Sequence, residues 1–146
     1  MKKIFVLLAA IPLLAGCGDD NGNGNPDFEC TEQNTLCATL TVPADFTGET
    51  ASLMGLLYTS VPPAGPPTAI LAQVGEPRIG VDRPYDFEIT GITQTGDYYF
   101  VVDLLMVGGG TTSPVPGIDY AYWTDATLNF DGNPLTLGEV DLWLYE

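Results

Sequence analysis

One carboxylate interrupts the most apolar stretch of this chain. Asp103 stands inside Tyr98-Tyr99-Phe100-Val101-Val102-Asp103-Leu104-Leu105-Met106-Val107. Carboxylates are seldom buried unpaired, which leaves two bland settings: solvent at the sheet's end, or hydrogen bonds to loop backbone. The sharper reading makes Asp103 a cation ligand. The adjacent strand candidate would bring Asp119 and Asp125 near it, and hard cations such as calcium take carboxylate oxygens. The turn that follows Asp103, Gly108-Gly109-Gly110-Thr111-Thr112, adds no acid, so the bland settings are favoured. A second group is aromatic: Tyr120, Tyr122 and Trp123, with Trp143 and Tyr145 near the C-terminus. Exposed rings of this kind stack on sugars or receive a partner's loop. Their competing role is core packing, because aromatics are enriched in strands for that reason alone.

Several chemistries are poorly supplied. The sequence has no histidine, which removes Ser-His-Asp and Cys-His catalysis and most zinc sites. Asp86 and Glu88 are paired carboxylates, but glycoside hydrolysis needs two acids flanking a cleft. Two acids at alternate positions of one strand are what a solvated face produces. No enzyme activity is expected. A net charge of −15 over 146 residues, with Arg78 and Arg83 the only cations after Lys3, repels nucleic acid and anionic headgroups. A charged partner would be a cation or a basic protein, although acidity also serves solubility.

The elements that must position these residues read as strands. Leu36, Ala38, Leu40 and Val42 alternate with Cys37, Thr39 and Thr41, and Tyr85, Phe87 and Ile89 alternate with Asp86, Glu88 and Thr90. Period two is the mark of a half-buried strand. Leu53 to Val61, Thr68 to Val74, Tyr98 to Val107, Ile118 to Thr124, Thr127 to Phe130 and a last run around Val140, Leu142 and Leu144 complete the set. The Tyr98 run is apolar on both faces and so belongs at a sheet's centre. Pro62-Pro63-Ala64-Gly65-Pro66-Pro67 reads as a rigid surface connection, and Gly108 to Gly117 as a long flexible loop. No segment carries helical periodicity. The fold class is all-β: a single antiparallel β-sandwich of about seven or eight strands over residues 30–146.

Ahead of it, Lys2 and Lys3 precede the apolar run Ile4 to Leu14, the layout of a secretory signal peptide over residues 1–16. That run is shorter than the roughly 20 residues a membrane-spanning helix needs. Residues 17–29, rich in Gly, Asn and Asp, cannot bury apolar area and read as a flexible tether. Within it, Asp19, Asn21, Asn23 and Gly24 match the first half of a calcium loop, but Cys30 stands where the bidentate glutamate belongs. Cys30 and Cys37, an exported pair, are expected to form a disulfide.

Two resemblances add to this. Leu14-Ala15-Gly16-Cys17 resembles the lipobox of bacterial lipoproteins, which implies acylation of Cys17 and a membrane anchor in the cell envelope. Gly18 in the following position implies outer-membrane delivery. Tyr85-Asp86-Phe87-Glu88-Ile89, Gly91-Ile92 and Gly96-Asp97-Tyr98-Tyr99-Phe100-Val101-Val102-Asp103 resemble the strand–turn–strand of prealbumin-like, carboxypeptidase-regulatory-like sandwich domains. That likeness implies a binding or spacer module. Together they imply a lipid-anchored envelope module that recognises a protein or a glycan without catalysis. The alternative is a calcium-dependent adhesion or stabilising module using Asp103 and Asp119.

Overall fold

A computed structural model describes residues 28–146. The candidate leader, Cys17 with its lipobox, the half-matched calcium loop and all but the end of the tether lie outside the described residues.

The period-two segments form nine strands: β1 (Leu36–Thr41), β2 (Thr50–Tyr58), β3 (Ala69–Gly75), β4 (Tyr85–Ile89), β5 (Gly96–Met106), β6 (Tyr120–Trp123), β7 (Leu128–Phe130), β8 (Leu135–Asp141) and β9 (Trp143–Leu144). They make two sheets. The smaller runs β4-β1-β8; the larger runs β3-β2-β5-β6-β9, with β7 beside the start of β5. Leu36, Ala38 and Leu40 of β1 and Phe87 and Ile89 of β4 point inward, where they meet Leu53, Leu57, Phe100, Val102 and Leu104 of the larger sheet. Each fully buried side chain of this size contributes roughly 1.5–3 kcal/mol. Gly55 in mid-β2 faces the smaller sheet. A Cβ there would lie 2.9 Å from Ile89 Cδ1 and 3.2 Å from Phe87 Cε1, so only glycine lets the two layers close.

Most pairings are antiparallel, as expected for a sandwich. The exception joins β1 to β8, which run parallel, with Leu36 opposite Leu135 and Leu40 opposite Val140. The C-terminal run also differs from one continuous strand. Val140 belongs to the smaller sheet, Leu142 is buried between the layers and donates its N–H to Thr41 O, and Trp143 pairs with Ala121 in the larger sheet. The chain changes sheets at Leu142, which is why the alternation continues while the partners change. β8 itself starts earlier than the sequence suggested, at Leu135.

Cys30 and Cys37 form the expected disulfide, with Cα atoms 5.6 Å apart. It ties the segment before β1 onto that strand, and Cys30 N–H also donates to Thr136 Oγ1 of β8.

The two outward faces have opposite chemistry. On the smaller sheet, Asp86, Glu88, Glu139 and Asp141 share a face with Thr39 and Thr41, and Thr39 and Thr41 donate to Asp86 and Asp141. On the larger sheet, Met54, Leu56, Tyr58, Val101 and Leu105, with Trp123 packed beside them, make a second apolar cluster separate from the core.

Candidate functional site

β5 is flanked by β2 and β6, and its outward residues fall within that second cluster. Asp103 is among them, opposite Met54 on one side and Ala121 on the other. It is only 3 % exposed. Neither bland setting applies: Asp103 does not face solvent and does not bond loop backbone. Burial, and after it the nearby Asp119 charge, push its carboxyl up from 3.8 to about 6. The charge acts back on its surroundings. Burial first, then Asp103 and Tyr145, raise the Tyr58 hydroxyl.

The acid that does bond loop backbone is Asp119, which is wholly buried. Its Oδ1 accepts from Met106 N at 2.7 Å; its Oδ2 accepts from Gly110 N and Val115 N, each at 2.7 Å. The 107–118 segment is therefore wound around one carboxylate instead of hanging as a slack loop. The glycines make this possible. A Cβ on Gly109 would sit 2.0 Å from Asp119 Oδ1, and one on Gly110 would sit 1.8 Å from Ser113 O. Further backbone bonds close the knot, with Gly117 N donating to Tyr145 O and Tyr145 N donating to Asp119 O. The sequence signal was the glycine triplet followed shortly by an aspartate: backbone N–H groups can converge on an anion where no side chain intervenes.

The aromatic residues divide between the faces. Tyr120 is buried in the core, its ring 5.0 Å from that of Phe46. Tyr122, opposite Val102, is also on the core side. Trp123, opposite Val101, lies on the outward side and meets Trp143 edge to face at 4.9 Å. Trp143, in the two-residue β9, is 38 % exposed and also contacts Tyr122 at 5.6 Å. Tyr145 is half-buried beside the wound loop. Of the five rings, Trp123, Trp143 and Tyr145 remain available at the margin of the larger sheet.

The three candidate metal ligands are not gathered around one point. Asp125 is exposed beyond the end of β6, where its charge, after burial, raises the Tyr122 hydroxyl. Among the described residues no group of three His, Cys, Asp or Glu is placed to hold a metal ion. Asp119's oxygens already face three N–H donors. A hollow of about 390 Å³ at the sandwich's end, lined by Asn34, Thr93, Thr95 and Asp131 among others, was not anticipated. It forms where the loops before β1, before β5 and before β8 converge.

The architecture defines a single all-β sandwich domain with an acidic face and an apolar, aromatic one. No family model, curated protein or solved structure matches the chain.

Proposed function

We propose that this protein is a lipid-anchored binding module of the bacterial cell envelope, of the prealbumin-like lipoprotein kind its motifs resemble. It works without catalysis and recognises a protein or glycan through the margin of the larger sheet. The observation that carries the reading is the Trp123–Trp143 pair. An exposed indole held edge to face by a second one is a rigid apolar platform, and such platforms bind at small entropic cost because few rotamers are lost. The acidic opposite face keeps the domain soluble and repels anionic surfaces.

The test is a tryptophan fluorescence titration of the mature chain with oligosaccharide and peptide panels. A saturable response that disappears in Trp143→Ala supports the module; a response unchanged in both Trp143→Ala and Trp123→Ala rejects the aromatic site. The anchor is tested separately, by mass spectrometry for an acylated Cys17 and by release of Cys17→Ser from membranes. One observation favours a second reading: the buried Asp103 carboxylate suits a calcium-dependent module. A melting temperature that rises with calcium and falls with chelator would support it.

A further inference from the structure

We infer that β3 is a docking edge, and that it takes an extended, non-acidic segment of a partner polypeptide as an added strand. The inference rests on the reading of the protein as a binding module and names where and how a polypeptide partner would attach.

An edge strand presents a row of unpaired N–H and C=O groups, and proteins normally blunt such rows with charge, proline, bulges or brevity. Every other edge here is blunted. β4 carries Asp86 and Glu88 and follows Pro84. β8 carries Glu139 and Asp141, and it holds one residue more than β1 between Thr136 and Glu139, with Gly138 at φ +70°. β7 and β9 have three and two residues. β3 differs in composition. Leu71 is an extra residue between Ile70 and Ala72, which stand opposite the adjacent Leu56 and Gly55 of β2, but its sequence, Ala69-Ile70-Leu71-Ala72-Gln73-Val74-Gly75, has no charge and no proline. It pairs only with β2, and no backbone hydrogen bond leaves its other side for any described residue.

Its side chains suit an added strand. Leu71, Ala72 and Val74 pack against the core yet are only half-buried. Ile70, on the opposite face across from Leu56, is 61 % exposed. The extra residue puts Leu71 and Ala72 on the core side together, and a strand laid along Ala72 to Gly75 with apolar residues at alternate positions would cover this side and continue the core, which is how strand addition combines backbone affinity with side-chain selectivity. Pro66-Pro67 before β3 and Pro77 after it limit the register to roughly seven residues, about one ordinary strand. The partner's charge follows from the host's. The exposed Glu76 and Arg78 just past the strand offset each other, but with a net charge of −15 an acidic segment is repelled and one bearing Lys or Arg is attracted. The same repulsion disfavours a second copy of this chain.

The experiment uses the mature chain with Cys17→Ser and a capped eight-residue peptide of alternating valine and lysine. Controls are a valine–glutamate peptide and a block peptide of the same valine–lysine composition. The alternating valine–lysine peptide should bind saturably and perturb the amide resonances of Ala69 to Gly75. Ile70→Lys should weaken it at least tenfold, while Val107→Lys, an equally exposed charge change off the edge, should not. Equal binding of the block peptide would reduce the effect to charge attraction and overturn the proposal. So would binding that is indifferent to Ile70→Lys, or no binding at all. Perturbations confined to Trp123 and Trp143 would overturn the edge but leave the binding module standing. Self-association abolished by Ile70→Lys would identify the occupant as a second copy, against the proposal.

Discussion

Replacing Asp103 by Asn should stabilise the protein at neutral pH and leave it nearly unchanged in acid. Asp103 titrates near 3.8 when exposed and at about 6 in the folded protein. Between those values the folded state holds a proton that the unfolded state has released, so stability falls as pH rises through the window. A gap of about two units at 1.36 kcal/mol per unit is about 3 kcal/mol. That destabilisation is absent below pH 3.8 and fully present above about pH 6. Asn has no charge to desolvate and lacks this component. The measurement is urea unfolding of both proteins from pH 3.5 to 8, taking the difference at each pH so that the other carboxylates cancel. The difference should grow in favour of the variant by about 3 kcal/mol across the window and then stay flat, equivalent to roughly 10 °C in melting temperature for a domain of this size. A difference independent of pH would show that Asp103 titrates normally, and would refute the account of a carboxylate raised by burial and the Asp119 charge.

Asp119 predicts the reverse. Asp119→Ala strips the acceptor from three N–H donors, one buried and two partly buried, and should destabilise by about 3 kcal/mol, with faster amide exchange across Gly108 to Gly117 as the local readout. Gly55→Ala should destabilise by about 1–3 kcal/mol through the contact with Ile89 Cδ1, and Ile89→Val, which deletes that atom, should recover part of the loss; no recovery in a thermal melt of the double variant would place the strain elsewhere. Reduction of Cys30–Cys37 should lower stability by about 2–3 kcal/mol on the chain-entropy account, measured by denaturation with and without reductant, and both thiols should resist alkylation until then.

Much of the strand content was legible because alternation is a local property. Leu36, Ala38 and Leu40 are buried on one face as their spacing implies, and the apolar run of β5 does sit between two neighbours. What local pattern cannot carry is partnership. Val140, Leu142 and Trp143 keep one rhythm while the chain passes between sheets, since a period-two segment looks the same against either. The parallel β1–β8 pairing is equally invisible, being a contact between the two ends of the domain. The site residues divide along the same line. Trp123 and Trp143 could be named as aromatic candidates, but only the register of β5 against β6 sends Tyr120 and Tyr122 inward and Trp123 outward. Asp103 attracted notice as the lone charge in an apolar run, and its setting was misjudged because solvated or bonded acids are the common case. Asp119 was judged by its side chain, whereas its role depends on main-chain N–H groups that every sequence possesses and only the glycines permit to converge.

The parallel contact between β1 and β8 also bears on when this protein can fold. β1 is central to its sheet, yet one neighbour, β4, lies about fifty residues on, and the other, β8, about a hundred. Closing loops of that length before any contact rewards them is slow. A growing chain could zip β2, β3 and β5 into a sheet as they emerge, since these are near in sequence. The smaller sheet would stay unfinished until residues 135–141 arrived, and the inward side chains of β1 would lack half their cover until then. Such a topology defers completion of the smaller sheet until β8 can reach β1.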